Sequence, residues 1–273
     1  LAYQADLTGG LDYEIRIVDL AGDGPVAGPI SGADGFAWAP DNATLFHVAV
    51  DERSLRPFEV RRIPADGSAP ATIVHAEDDE EFDLHLSVTS DRRFVVIEAS
   101  SSDTTETYLL DPWDPQAVPV SIRPRERGLL YTADHGGGQV YLRINDDAST
   151  YRIVATPFAE LDAQDWRPIL PSRPDVSLEG FHVFARHLAV SERSDGLAEI
   201  RIVDLATLQQ THVAFPEPSY SLFQVSNPRF DTNVVLYGYE SFVTPQRVYA
   251  YDMQSHETEI VWEEPIGGGF DGS

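Results

Sequence analysis

At 273 residues, with 45 acidic side chains against 19 basic ones that are all arginine, the chain carries a formal charge of −26. Such a surface repels nucleic acid and anionic membranes and attracts cations or basic peptides, although it also serves solubility with no ligand at all. The absence of cysteine excludes disulfides and thiolate metal sites and allows a reducing compartment. No apolar run approaches the roughly 18 residues of a membrane-spanning helix.

The chain opens on a strand at 1–6 and continues into Tyr13-Glu14-Ile15-Arg16-Ile17-Val18-Asp19-Leu20, an alternating strand that ends in a turn residue. The same pattern returns at 58–64, 106–111, 151–156, 198–204 and 247–252, and its closing positions 19, 64, 111, 156, 204 and 252 lie 45, 47, 45, 48 and 48 residues apart. A period in the forties, built of short strands and turns with no helical stretch, predicts an all-β fold, a β-propeller with one four-stranded blade per repeat. Within each repeat the order is inner strand, second, third and outer. Inner strands are predicted at 35–38, 82–88, 128–134, 178–184 and 220–226, and second strands at 45–50, 94–99, 140–144, 187–190 and 234–239. Outer strands are predicted at 71–75, 118–122, 166–170, 211–215 and 259–262. The first repeat has no inner strand, so residues 1–273 are expected to form one propeller domain of five complete blades and a partial first one. An open ring leaves raw strand edges, and the natural product is expected to be longer.

Strand direction places the outer-to-inner and second-to-third connections on one face. The chain is expected to leave on that face through Gly267-Gly268-Gly269-Phe270-Asp271-Gly272-Ser273, either as a flexible connection to something further on or as a frayed tail.

Few motifs of known chemistry occur. A serine hydrolase of the α/β class needs G-x-S-x-G on a strained strand-to-helix turn, and the nearest approach, Gly28-Pro29-Ile30-Ser31-Gly32, sets the serine one place late with no helix behind it. No H-E-x-x-H, phosphate loop or dinucleotide fingerprint is present. His85 and His135 lie on or just after inner strands, where an axial metal is conceivable, but ordinary packed histidines are the plainer reading. No catalytic residue, metal ligand or cofactor is therefore expected in this chain. The recurrent Asp19, Asp111, Asp204 and Asp252 are read as turn residues whose side chains bond their own backbone two positions on.

The connections carry more. Glu77, Asp78, Asp79, Glu80 and Glu81 put five carboxylates in a row between an outer and an inner strand, with Arg125 and Arg127 on the neighbouring connection and Glu192 and Arg193 on a predicted second-to-third connection. Glu77, Asp78, Asp79, Arg125, Arg127, Glu192 and Arg193 are the candidate tunnel-rim or interdomain contacts. They are suited to concentrating a cationic substrate or pairing with a docked domain. The competing reading is a solvated acidic loop balanced by arginines for stability alone.

Several stretches, taken in order, resemble one family. They are Phe36-Ala37-Trp38-Ala39-Pro40-Asp41, Arg56-Pro57-Phe58, Glu77 to Phe82, Arg123-Pro124-Arg125, Tyr131-Thr132-Ala133-Asp134-His135, Ser191 to Leu197, Ala214 to Tyr220, Asn227-Pro228, Tyr239 to Pro245, Tyr251-Asp252-Met253 and Gly269-Phe270-Asp271. Together they resemble the N-terminal propeller of oligopeptidase B, or protease II, a branch of the prolyl oligopeptidase serine peptidases. Arg62-Ile63-Pro64-Ala65 and Ser149-Thr150-Tyr151 depart from the family pattern. The resemblance implies a cytoplasmic enzyme with a seven-bladed propeller and an α/β-hydrolase domain after Ser273 that carries the Ser, Asp and His. It further implies that the propeller gates access, admits only short peptides, and serves an enzyme that cleaves after Arg or Lys. A stand-alone propeller that binds a protein or small ligand and catalyses nothing is the alternative.

Overall fold

A computed structural model describes residues 1–10, 12–22, 24–163 and 166–267. These residues form strands and one short 3₁₀ turn, Phe158–Glu160, grouped into two compact units, Leu1–Leu130 and Tyr131 onward. Of the predicted exit 267–273, residues 268–273, with the matching Gly269-Phe270-Asp271, lie outside the described residues.

In the first unit, β1 (Ala2–Asp6), β2 (Tyr13–Ile17) and β3 (Ile30–Ser31) make a three-stranded sheet. It is followed by β4 (Ala33–Trp38), β5 (Thr44–Val50), β6 (Pro57–Pro64) and β7 (Thr72–Ala76), and then by β8 (Asp83–Val88), β9 (Val95–Ser100), β10 (Thr105–Leu110) and β11 (Val120–Ser121). In the second unit the sheets are β12 (Tyr131–Gly136), β13 (Gln139–Ile144), β14 (Arg152–Pro157) and β15 (Arg167–Leu170); β16 (Val176–Val183), β17 (His187–Ser194), β18 (Leu197–Asp204) and β19 (Gln210–His212); and β20 (Tyr220–Phe223), β21 (Val234–Ser241), β22 (Arg247–Asp252) and β23 (Thr258–Glu263). Every sheet is an antiparallel meander in chain order, as the repeat predicts, and the first lacks the inner strand as expected.

Burial follows position in the meander. The second strand β5 is buried almost throughout, because the sheets before and after it cover both its faces, and it reads as a near-continuous apolar run rather than an alternation. The outer β23 is exposed along its length. Ile15, Ile17 and Leu45 fill one core in the first unit, and Val60, Leu84 and Ile97 another. In the second unit Ile153, Leu188 and Val203 form one cluster, and Tyr239, Tyr251 and Met253 another.

The recurrent aspartates act as turn residues. Asp19 Oδ1 accepts from the Ala21 amide at 3.0 Å, Asp111 from Trp113 at 3.0 Å, Asp204 from Ala206 at 3.1 Å and Asp252 from Gln254 at 2.8 Å.

Several boundaries differ from the sequence reading: β20 ends at Phe223 rather than 226, β19 ends at His212 rather than 215 and β11 is confined to Val120–Ser121, and glycine hairpins set two more. The inner strand predicted at 128–134 is β12, three residues later, because Gly128 turns at φ +83° and the strand runs on to the Gly137-Gly138 hairpin. The second strand predicted to end at Val190 continues through Glu192 and Arg193 to Ser194. Asp195 and Gly196, at φ +49° and +83°, close a two-residue turn onto Leu197, the geometry of a type I′ hairpin, which needs positive φ at both central positions. Glu192 and Arg193 are thus strand residues.

Gly238 has a different reason to be glycine. It pairs with Phe223 across β20 and β21, and a Cβ built on it would lie 2.0 Å from the Phe223 ring. Gly238→Ala in the full-length polypeptide is expected to lower stability by about 1–3 kcal/mol through displacement of that ring. Equal urea midpoints for variant and wild type would show the ring free to move aside.

Candidate functional site

In each sheet, the starts of the inner and third strands and the ends of the second and outer strands share one end. The outer-to-inner and second-to-third connections gather there and are stitched to one another. In the first unit, Arg56, from the connection after β5, donates to the carbonyls of Glu77 at 3.0 Å, Asp79 at 3.2 Å and Phe82 at 2.8 Å. The acidic connection is therefore clamped along its backbone by a guanidinium, whose planar fork satisfies several carbonyls at once.

The same connection divides by burial. Asp78, Asp79, Glu80 and Glu81 are exposed. Glu77 is buried: Arg125 Nη2 reaches its Oε2 at 2.6 Å, while Arg125 Nε lies 3.3 Å from Glu106 Oε2 and Nη1 lies 3.9 Å from Asp79 Oδ2. The guanidinium carbon also sits 3.6 Å from the centroid of the Phe82 ring, within cation–π range. Glu77, Asp79 and Arg125 are thus brought together. Arg127 stands apart, exposed, 3.5 Å from Asp103.

In the second unit Glu192 is a core group and not a loop residue. Its side chain is fully buried. Oε1 accepts from Arg201 Nη2 at 2.6 Å, Oε2 accepts from Arg201 Nε at 3.0 Å and from Arg173 Nη2 at 2.9 Å, and His212 Nε2 lies 3.2 Å from Oε1. Burial pushes this carboxyl up, but the hydrogen bonds and charge of Arg201, aided by Arg173 and His212, prevail and hold it below the usual glutamate range. Glu192, Glu199 and His212 present ligand atoms within 4.8 Å of one another. Both Glu192 oxygens are already taken by guanidinium groups, so the pocket is built for arginine and an ion would have to displace it. Arg193 points to the surface, where Glu179 accepts from its Nε at 2.6 Å and the Gly196 carbonyl accepts from its Nη1 at 3.1 Å.

Sequence reasoning missed Arg56, Arg173, Arg201 and Glu217. Arg201 had a readable signal: it interrupts the apolar run Ile200 to Val203, all of it buried, and a cation in such a run must carry its own counter-charge. Glu217 accepts from Thr244 Oγ1 at 2.5 Å and from the Tyr239 hydroxyl. It joins the outer-to-inner and second-to-third connections of the last sheet, with no pattern in the sequence to announce it.

Comparison with known proteins bears on the fold and the family. The family described as "Prolyl oligopeptidase, N-terminal beta-propeller domain" matches residues 1–264. Dipeptidyl aminopeptidase BI of Pseudoxanthomonas mexicana is 29% identical over 271 residues, 98% of this chain and 37% of the relative. Protease 2 of Moraxella lacunata is 26% identical over 238 residues, 86% of this chain and 34% of the relative. Oligopeptidase B from Trypanosoma brucei, in a closed form with covalently bound antipain, superposes with a TM-score of 0.89 at 26% identity over 99% of this chain and 39% of that one. The chain thus spans little more than a third of the length of these proteins. The successive meander sheets are those of a propeller, and the chain belongs to the prolyl oligopeptidase family as its N-terminal β-propeller domain.

Proposed function

We propose that this chain is the gating, size-excluding and docking propeller of a cytoplasmic serine oligopeptidase that cleaves short peptides after Arg or Lys, with the catalytic Ser, Asp and His in an α/β-hydrolase domain that follows Ser273. The observation that carries the reading is the superposition on oligopeptidase B over 99% of this chain, and family membership favours it over a stand-alone propeller. In this arrangement the propeller shields a covalent site from bulk water and large substrates and must open to load peptide. The exposed carboxylates Asp78, Asp79, Glu80 and Glu81 would raise the local concentration of basic peptides at the entrance, and Arg127 and Arg193 would meet the docked domain. Glu77, Arg125 and Glu192 would support these surfaces from beneath, since their charges are spent within the domain.

A second reading has one specific support, the 29% identity to a dipeptidyl aminopeptidase over 98% of the chain. It predicts release of dipeptides from a free amino terminus. The full-length polypeptide assayed on Arg-containing peptides with blocked and with free amino termini separates the two: cleavage of blocked peptides is expected, and activity confined to free amino termini would establish the second reading. Changing Asp78, Asp79, Glu80 and Glu81 together to their amides is expected to lower kcat/KM for Arg peptides about 2–10-fold at low ionic strength and to have little effect at 0.5 M salt, where a Debye length of a few ångströms screens the rim. A salt-independent kcat/KM equal to wild type would remove the electrostatic role.

A further inference from the structure

The last sheet carries an apolar tip that no part of the described chain covers. Phe242 and Val243, on the connection between β21 and β22, are 96% and 74% exposed. Single exposed apolar residues are ordinary on a protein surface, but this pair is held on a rigid base. The Ser241 amide donates to the Thr244 carbonyl at 3.0 Å, and Ser241 Oγ accepts from the amides of Val243 at 3.2 Å and Thr244 at 3.0 Å. Beneath the turn, Glu217 holds the hydroxyls of Thr244 and Tyr239, both buried. The Phe242 ring is therefore presented to solvent on a turn that has already lost its conformational freedom, which is how an anchor residue lowers the entropy cost of association. A depression of about 240 Å³ beside it is lined by Ser219, Tyr220, Ser221, Glu240, Ser241 and Phe242.

The course of the chain says what covers this tip. Glu263, the last residue of β23, pairs with Arg247, the first of β22, and the Glu264 amide donates to the Gln246 carbonyl at 2.8 Å. Residues 264–267 therefore leave the sheet at the end that carries the 242–246 connection, one strand away from it. The relatives are well over twice as long as this chain, and with the chain read as the N-terminal propeller of such a protein the remaining polypeptide continues from that place. A segment tethered so close acts at an effective concentration on the order of millimolar, at which two apolar side chains suffice to hold it. A chain of charge −26 also gains from an anchor that does not depend on charge, because apolar contact survives salt while ion pairs at the surface do not.

We propose that Phe242 and Val243 are the apolar anchor on which the domain following this chain seats, inserting into an apolar pocket of that domain. This rests on the reading of the chain as one domain of a longer peptidase and names the contact that closes it. Hydroxyl-radical labelling of the full-length polypeptide tests it, with Trp113, 61% exposed on the first unit, as an internal reference. Phe242 is expected to be labelled at least fivefold less than Trp113. The double variant Phe242→Ser with Val243→Ser is expected to widen the molecule in solution scattering and to admit peptides longer than wild type cleaves, while Phe242→Leu retains the closed form. Phe242 labelled as strongly as Trp113, with scattering unchanged in the double variant, would overturn the anchor. A concentration-dependent dimer that the double variant abolishes would overturn it too, with a second copy as the occupant. If the full-length polypeptide cleaves no peptide at all, the peptidase reading fails; loss of the anchor with cleavage intact refutes this inference alone.

Discussion

Glu192→Gln is expected to cost the fold about 3–5 kcal/mol, the usual consequence of removing one member of a buried ion pair. Glutamine keeps the volume of the side chain but turns two acceptors into one acceptor and an NH2 group. That NH2 would face the donors of Arg201 and Arg173, which now approach the Glu192 oxygens at 2.6–3.0 Å. The Arg201 side chain is only 6% exposed, so its charge cannot turn to water, and Gln210, whose Oε1 accepts from its Nη1 at 2.5 Å, is neutral. Replacing both partners, Glu192→Leu with Arg201→Met, is expected to recover most of the loss, because the fully buried charges are then gone and the remaining guanidinium of Arg173, 37% exposed, can turn to water. The pH dependence has a definite sign. The folded-state carboxyl of Glu192 is held low, so its contribution is complete above the unfolded glutamate value of about 4.3 and is lost as pH falls through the lower folded value. The gap in unfolding midpoint between wild type and Glu192→Gln, measured on the full-length polypeptide, should be constant from pH 7 to 5 and narrow progressively as pH falls below about 4.3. Coincident midpoints at pH 7 would show that the pair contributes nothing net.

That Glu192 was placed on a connection by its sequence and in a core by the structure shows which information a repeat carries. The strand period is local: an alternating segment ending in aspartate announces its own turn, since Asp204 bonds Ala206 and Thr207 without help from distant residues. The sheets, their order and the missing inner strand of the first were legible for that reason. Strand length is less local, because a hairpin of type I′ tolerates a non-glycine at positive φ, and Asp195-Gly196 looks like any polar loop until its dihedrals are known. Contacts between connections are not local at all. Arg125 meets Glu77 over a separation of 48 residues, one full repeat, and only their opposite charges on neighbouring loops hinted at the pair. Nothing in Tyr239 to Pro245 distinguishes a phenylalanine turned inward from one held outward; the buried Tyr239 and the hydrogen bonds of Ser241 and Glu217 decide that.

Arg125→Met should destabilise the domain by about 2–4 kcal/mol, less than the Glu192 variant because water reaches part of the Arg125 side chain and screens what is left behind. One guanidinium here does three things: it pairs with Glu77 at 2.6 Å, lies 3.3 Å from Glu106 and covers the face of Phe82. Methionine keeps the cover over the ring but leaves two largely buried carboxylates beside each other with no counter-charge. Arg125→Lys is expected to restore only part of the loss, since one ammonium cannot reproduce the planar fork toward two carboxylates and the stack on the ring. Glu77→Gln separates the charge effect from packing: alone it should destabilise, and on the Arg125→Met background it should stabilise, because it removes one of the two orphaned charges. The coupling between the two sites, read as a double-mutant cycle in urea midpoints, is expected to exceed about 1 kcal/mol. Because Glu77 opens the connection that carries Asp78 to Glu81, freeing it should, on the proposed peptidase reading, also blunt the salt dependence of peptide cleavage, as the exposed carboxylates lose their fixed position. Additive midpoints would instead make the Arg125 contacts a surface arrangement with no hold on the connection.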